Sequence, residues 1–251
     1  MSLKSLSSAL ALLDYFTPET PYWGVRGLAK ACGQHPAVVQ RILATYAEHG
    51  FLLRLSTPRP KYSLGMRFYQ LGNMVIGATT FIDAVKPVLQ KLALSSGETA
   101  YLTWLSHDDC ICIAIGESPN SIQLRVTVGS HMPLYAGAAA KAILAFLPSA
   151  RFDAWLLRQR SDTAWNGASL QQECTAIRQA GFAYTRGEWV SESFGLALPI
   201  MGPEAMPFGS LALAGPAYRF DEQRIPERIN EMKQAQEQIC WALSHVTRGD
   251  G

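Results

Sequence analysis

The sequence has few charged residues and no long uninterrupted apolar run. Only 17% of its 251 residues are charged, while 48% are hydrophobic. No stretch approaches the roughly 18 consecutive apolar residues of a membrane-spanning helix, and Asp14 falls where a signal peptide would need its cleavage site. We therefore expect a cytoplasmic chain with no membrane partner, which folds as two domains around a sizeable core.

Cysteine is also scarce. The five cysteines are odd in number and scattered, unlike the even, spaced set of a secreted disulfide framework. Cys110 and Cys112 stand two apart in the run CICIAIG, so on a strand they share one face. No second pair or nearby histidine completes a zinc site. The sequence predicts reduced, buried thiols, and no metal or cofactor.

Familiar catalytic signatures are missing as well. The chain has no G-x-S-x-G elbow, phosphate-binding loop or H-E-x-x-H helix. The triplet His107-Asp108-Asp109 could form a metal or acid–base site, but an Asp-rich hairpin turn is the simpler interpretation. His131 could contact a ligand or be an ordinary loop residue. Two classes of protein stay open here: a metabolic enzyme of α+β fold with a basic appendage, and a DNA-packaging or scaffold protein that responds to no ligand.

The charges that are present divide unevenly along the chain. Residues 1–75 hold eight basic and three acidic side chains, a net charge of +5, whereas the remainder carries −3. A basic N-terminal part on a mildly acidic body indicates that the N-terminal part meets a polyanion while the body has another task.

Three helices are predicted in the N-terminal part. Apolar residues at three- and four-residue steps mark a helix from Leu3 to Phe16. A second helix fits Val25 to Cys32, with Gly33 as its C-terminal stop, and a third begins at Pro36 and runs to Gly50. Helix, glycine-containing turn, helix is a pattern typical of DNA binding.

A hairpin is expected to follow the third helix. Residues 51–54 and 61–64 are typical of two short strands, joined by a loop that contains two prolines. Such a hairpin would be a wing, with Arg59 and Lys61 near its tip, where they could reach a duplex backbone; a plain solvated turn is the alternative.

After the hairpin, the apolar pattern predicts a mixture of helices and strands. The pattern predicts helices at 66–76 and 81–94, strands at 98–105, 110–117 and 122–128, helices at 138–146, 152–157 and 170–180, strands near 182–184, 196–201 and 210–214, and a last helix from a cap near Asp221 to about His245. Strands, then helices, then further strands indicate an α+β sheet domain covered by helices.

The order of these elements and several phrases resemble the IclR family of bacterial transcription regulators. The phrases in the N-terminal part are SLSSALALLDYF, LAKACGQHPAVVQRILATYAEHGFL and KYSLGMRFYQLG. In the body they are GETAYLTWL, PLYAGAAAKAILAFLP, IRQAGFAY, GLALPI and LALAGP. The resemblance covers nearly the whole chain, and it depends on the order and spacing of these phrases together.

The resemblance implies an α+β protein without catalytic activity. Its parts would be a winged helix-turn-helix DNA-binding domain at 1–65, a linker helix at 66–79, and a GAF-like effector-binding domain at 80–251 with an antiparallel sheet and flanking helices. It also implies a homodimer or a dimer of dimers. The apolar residues Phe68, Leu71 and Val75 would form the dimer seam or simply pack onto the body.

By helix-turn-helix geometry, the third helix would lie in the major groove. The residues expected at the DNA are Ala37, Val38, Gln40 and Arg41, with Arg59 and Lys61 from the wing. Either Val38 or Val39 must turn inward. Ala37 and Val38 replace the family's usual serine and threonine, which favours contact with thymine methyls and backbone clamping over polar readout.

The family's effector pocket lies at the start of the helix that begins near Ala138. The matching positions are Leu124, Met132, Ala138, Ala139, Thr185, Phe194, Gly195, Ala212 and Ala214. Ala212 and Ala214 stand where serines are frequent, Gly195 replaces a cysteine, and Glu192 replaces a common glycine. The resemblance therefore implies an effector with more apolar surface, such as an aromatic or branched carboxylate, held by backbone amides and Thr185. Alternatively, the alanines pack a closed core.

Overall fold

The computed structural model describes residues 3–55, 60–75, 79–159, 167–202 and 205–247. Two compact units divide the chain, one spanning residues 1–78 and the other 79–251. No helix in the described parts is both long enough and apolar enough to span a bilayer.

The described residues of unit 1 form four α-helices and a hairpin. The elements in chain order are α1 (Lys4–Ala11), a 3-10 turn (Leu13–Tyr15), α2 (Val25–Cys32), α3 (Pro36–Glu48), β1 (Leu52–Leu55), β2 (Lys61–Leu64) and α4 (Arg67–Val75). Gly33 ends α2 in the left-handed conformation, with φ of +68°, which glycine adopts without strain. Pro36 opens α3 at its first position, where no backbone N–H is needed.

The core of unit 1 lies between α2, α3 and the hairpin. Leu28, Val39 and Leu43 are completely buried there, so Val39 is the valine that turns inward. The first helix is shorter than predicted, because the chain tightens into the 3-10 turn after Ala11. This change places Leu12 in the core and leaves one apolar face of α1 exposed, formed by Leu3, Leu6 and Leu10.

The wing hairpin pairs β1 and β2 in antiparallel register, from Leu52 opposite Leu64 to Leu55 opposite Lys61. Tyr62 is buried and exchanges backbone hydrogen bonds of 2.8 and 3.0 Å with Trp23, which ties the hairpin to the segment before α2. Arg59 lies outside the described residues. In α4, Phe68 packs edge-on against Phe51 with ring centroids 5.1 Å apart, which is packing within the unit.

Unit 2 is a six-stranded antiparallel sheet with helices on both faces. Its elements are α5 (Thr79–Ser96), β3 (Thr99–Ser106), β4 (Asp109–Gly116), β5 (His131–Pro133), α6 (Ala138–Ala145), α7 (Ser149–Arg158), α8 (Gly167–Ala180), β6 (Ala183–Arg186), β7 (Ser193–Met201), β8 (Pro207–Pro216) and α9 (Ile225–Thr247). The strand order is β5-β4-β3-β8-β7-β6. This arrangement confirms the predicted α+β class.

The two faces of the sheet pack against different helices. Helices α5 and α9 contact each other and cover one face, where Trp104 of β3 meets Phe81 of α5. Helices α6 and α8 contact each other, and α6 packs on β6, β7 and β8 over the opposite face. Asp221 caps the short turn before α9 by accepting a hydrogen bond from the Gln223 N–H at 3.0 Å.

The strand predicted at residues 122–128 is wrong. That segment forms no ladder; instead β5, at His131–Pro133, pairs with the edge of β4. Leu124 and Val126 pack against the core while Ile122 and Val128 are exposed. The alternation in the sequence therefore reflects one-sided packing of an extended segment, which has the same period as a strand.

The cysteines differ in burial, and this predicts their reactivity. Burial raises the pKa of Cys110 to about 12 and those of Cys112 and Cys174 to about 11, whereas Cys32 and Cys240 are partly exposed. Because the thiolate is the reactive form, a disulfide reagent at about pH 8 should label only Cys32 and Cys240 in the folded protein and all five after unfolding. Rapid labelling of Cys110 without unfolding would contradict this packing.

Candidate functional site

Helix α3 presents one exposed face that contains the predicted DNA-contacting residues. Ala37, Val38, Gln40 and Arg41 are all exposed, and Val38 retains 40% of its surface. At 100° per residue, Ala37 and Arg41 lie opposite the buried side of the helix, with Val38 and Gln40 on the two flanks. The structure therefore brings these four residues together.

The N-terminus of α3 is fixed by its cap. His35 Nδ1 accepts a hydrogen bond from the Ala37 N–H at 3.3 Å, and Pro36 presets the first helical backbone angle. The side chains of Gln40 and Arg41 form no hydrogen bond or ion pair with any described residue. Their polar ends are thus available to a partner.

A basic concave surface lies beside this face. It has a volume of about 560 Å³ and is formed by the start of α2, Gln40 of α3 and the base of the wing. Three cationic side chains surround it, Arg26, Arg54 and Lys61. Sequence reasoning singled out Lys61 but missed Arg26 and Arg54. Only their positive charge could have indicated them, because they are far apart in sequence and the fold brings them together.

Removing Lys61 tests whether this surface meets phosphates. Lys61→Ala should weaken binding to specific and unrelated duplexes alike and lower the slope of log affinity against log salt by about 1. The measurement is fluorescence anisotropy over a salt series. Lys91→Ala, which removes an exposed charge of the same sign from unit 2, is the control. An unchanged salt slope in Lys61→Ala would contradict the phosphate contact.

In unit 2, three of the predicted effector residues meet at the start of α6. A Cβ atom added to Gly195 would lie 3.0 Å from the Ala138 Cβ and 3.3 Å from the Thr185 Oγ1. Thr185, Gly195 and Ala214 are direct partners across β6, β7 and β8, so they share the sheet face that α6 covers. Glycine at 195 is what lets the helix approach this closely.

Most of the other predicted positions lie in the same cluster. Met132, Ala139 and Ala212 are buried in it, and Leu124 packs at its edge. Phe194 is the exception, because its neighbour Gly195 faces α6 and successive strand residues point to opposite faces. Its ring is buried on the other face, stacked on Phe220 at 3.7 Å. Phe194 therefore does not line this site.

Tyr101 is a polar member of the cluster that sequence reasoning missed. It is 6% exposed and lies directly opposite Ala212, on the face that α6 covers. Burial, followed by the nearby Cys110 and Cys112, raises its pKa, so the hydroxyl stays protonated and can donate.

The start of α6 also carries backbone donors. The N–H groups of Ala138, Ala139 and Ala140 donate to no described group, although all three residues are buried. The first N–H groups of a helix have no partner within it, and leaving such groups buried and unpaired costs about 1–3 kcal/mol each. These donors form an anion-binding geometry.

A buried lysine lies one turn further along α6. Lys141 donates to Glu188 at 2.8 Å and also to Glu173, and Glu188 accepts the Gly137 N–H at 3.1 Å. Burial lowers the pKa of Lys141, but the two carboxylates outweigh that effect and raise it above its ordinary value. Lys141 is therefore charged at neutral pH.

The remaining candidates have local structural roles. Asp108 accepts two hydrogen bonds from Arg158, at 2.6 and 2.8 Å, and these bonds lower its pKa. His107 adopts a φ of +52° in the turn between β3 and β4. His131 Nδ1 lies 3.6 Å from Asp109 on the surface. Among the described residues no group of three potential metal ligands occurs.

Together, the helix-turn-helix of unit 1 and the sheet unit that follows it define a DNA-binding transcriptional regulator with a second domain. A family model for the C-terminal domain of IclR bacterial transcriptional regulators matches residues 74–241, and one for the IclR helix-turn-helix domain matches residues 5–56. The chain therefore belongs to the IclR family, whose members are regulators and not enzymes. The predicted family is confirmed.

Similar proteins span essentially the whole chain. The HTH-type transcriptional regulator KipR of Bacillus subtilis is 28% identical over 248 residues, covering 97% of this chain and 98% of KipR. An IclR transcriptional regulator from Silicibacter sp. has the same fold, with a TM-score of 0.82, 24% identity and 96% coverage of both chains. An IclR homolog from Microbacterium hydrocarbonoxydans, solved in complex with 4-hydroxybenzoate, has a TM-score of 0.76 at 16% identity, covering 96% of this chain and 99% of that one.

Proposed function

We propose that the chain is a cytoplasmic transcriptional regulator whose affinity for its operator changes when a small carboxylic acid binds at the start of α6. The observation that carries this proposal is the set of three N–H groups at the buried residues Ala138, Ala139 and Ala140, which donate to no group in the described part of the chain. A carboxylate accepts several such bonds at once, and the positive end of the helix dipole favours its charge.

The surroundings of these donors favour an acid with an apolar body. Ala212 and Ala214 face α6 where polar side chains would fix a strongly hydrated acid, and Met132 adds further apolar surface. Tyr101 and Thr185 supply hydroxyl groups near the apolar surface. Aromatic acids combine these features, and the related structure that holds 4-hydroxybenzoate has the same fold. We include Leu124, Ala139 and Gly195 in the proposed lining.

The proposed DNA-binding residues are Ala37, Val38, Gln40, Arg41, Arg59 and Lys61, and we add Arg26 and Arg54 because they line the basic concave surface beside Gln40. We propose a DNA-binding domain at 1–65, a linker helix at 66–79 and an effector domain at 80–251, acting as a homodimer or a dimer of dimers. Two DNA-binding domains would make twice the phosphate contacts of one domain, whose net positive charge is modest.

A thermal-shift screen tests the effector proposal. Wild-type protein is heated with a panel of aromatic and branched carboxylic acids, each paired with its uncharged amide. We expect at least one acid to raise the melting temperature while its amide does not, because the N–H groups favour an anion. Equal shifts from acid and amide, or no shift from any acid, would contradict the proposed carboxylate site.

A further inference from the structure

The start of α6 already holds a carboxylate of the chain itself. Glu188 lies in the loop of residues 187–192 between β6 and β7, and its Oε2 accepts the Gly137 N–H at 3.1 Å. The Gly137 N–H is next to the N–H groups of Ala138, Ala139 and Ala140, which donate to no described group. Glu188 thus occupies the first amide of this run but not the next three.

The local charge disfavours a second anion there. Lys141 contributes one positive charge, whereas Glu173 and Glu188 contribute two negative charges around it. Like charges a few ångströms apart at a partly buried position repel by several kcal/mol. An incoming carboxylate that accepts from the α6 N–H groups therefore meets electrostatic repulsion, and this repulsion falls if Glu188 moves away.

The loop that carries Glu188 has exposed side chains, although backbone hydrogen bonds hold its two ends at Gly187 and Glu192. The Glu188 side chain is one-third exposed, and Trp189 and Val190 are 51% and 41% exposed. Trp189 nevertheless lies over the helix start, because its Cβ is 3.4 Å from where a Cβ of Gly137 would be. Movement of Glu188 would therefore change the surroundings of the Trp189 ring.

We propose that Glu188 is an internal competitor of the effector, a tethered carboxylate that the effector's carboxylate displaces, so that binding releases the 187–192 loop. This inference rests on the proposed function, since it concerns the same site. In this proposal Glu188 controls the affinity for the effector. The 187–192 loop is the first segment that moves when the effector binds. Glu173 pairs with the same lysine but contacts no α6 amide, so its role is confined to charge.

The test compares Glu188→Gln with Glu173→Gln in the full-length chain, with benzoate as the probe and isothermal calorimetry as the measurement. Both variants remove one negative charge beside Lys141, but only the first removes the anion from Gly137. We expect Glu188→Gln to bind benzoate roughly tenfold or more tightly than wild type, and Glu173→Gln to stay within about threefold.

Tryptophan emission supplies a second readout. Saturating benzoate should change the emission of wild type, and Trp189→Phe should abolish that change.

If both glutamine variants bound benzoate more tightly by the same factor, the lost charge alone would explain the gain in affinity. That result would overturn the proposed displacement of Glu188. Unchanged or weaker binding in Glu188→Gln, or no benzoate binding in any variant, would also overturn it. The proposed function is tested separately, by the acid and amide pairs in the thermal-shift screen. Its failure can therefore be distinguished from a failure of the Glu188 displacement.

Discussion

Replacing Arg41 with alanine is expected to reduce affinity for a specific duplex by about 5- to 150-fold, or 1–3 kcal/mol. Arg41 lies at the centre of the exposed face of α3 and has no partner among the described residues, so its guanidinium is available to a guanine edge or a phosphate. The measurement is anisotropy with a duplex selected from a random pool by the wild-type protein.

The fold should tolerate this change, because an exposed helical arginine replaced by alanine costs little stability. An unchanged melting temperature would verify that. Gln40→Ala, on the flank of the same face, is compared with Arg41→Ala. It should reduce the preference for one base over the others at a single base pair of the duplex. If Arg41→Ala bound the selected duplex as tightly as wild type does, the proposed docking of α3 would be wrong.

Replacing Gly195 with leucine is expected to abolish the response to a carboxylic acid while operator binding persists. A side chain at Gly195 would project between Ala138 and Thr185, where only 3.0 to 3.3 Å is available to its first carbon. We expect a loss of about 1–3 kcal/mol in stability from overpacking, and no acid-induced change in the anisotropy of a labelled operator.

Gly195→Ala provides the graded control for this prediction. Its single methyl group tightens the contact with Ala138 but occupies far less space than a leucine side chain, so the acid response should weaken without disappearing. A full acid response in Gly195→Leu, with the protein folded, would place the effector elsewhere.

The helix-turn-helix could be predicted from sequence because its signals are local. Gly33 and Pro36 act on the backbone within a few residues, and the apolar spacing of α3 fixes which side turns inward. The turn at His107 and the burial of Cys110 and Cys112 also follow from neighbouring residues. Most elements of the sheet unit were predictable in the same way.

What the sequence could not supply depends on contacts between distant segments. The 122–128 segment has a strand's alternation, but β5 takes the edge of β4, and only the tertiary fold decides which segment pairs. Tyr101 looks like an ordinary strand tyrosine until the register of β3 and β8 places it opposite Ala212, on the buried face that α6 covers. Glu192 adopts a left-handed φ of +59°, a conformation that favours glycine, and this angle is visible only in three dimensions.

The most direct test of the account is a titration of the wild-type protein, bound to its selected duplex, with the acid that raises its melting temperature. The account predicts that the apparent Kd for this duplex shifts by about 5- to 150-fold, and that a scrambled duplex shows no such shift. If the acid binds and the affinity for the selected duplex stays constant, the site at α6 does not control DNA binding.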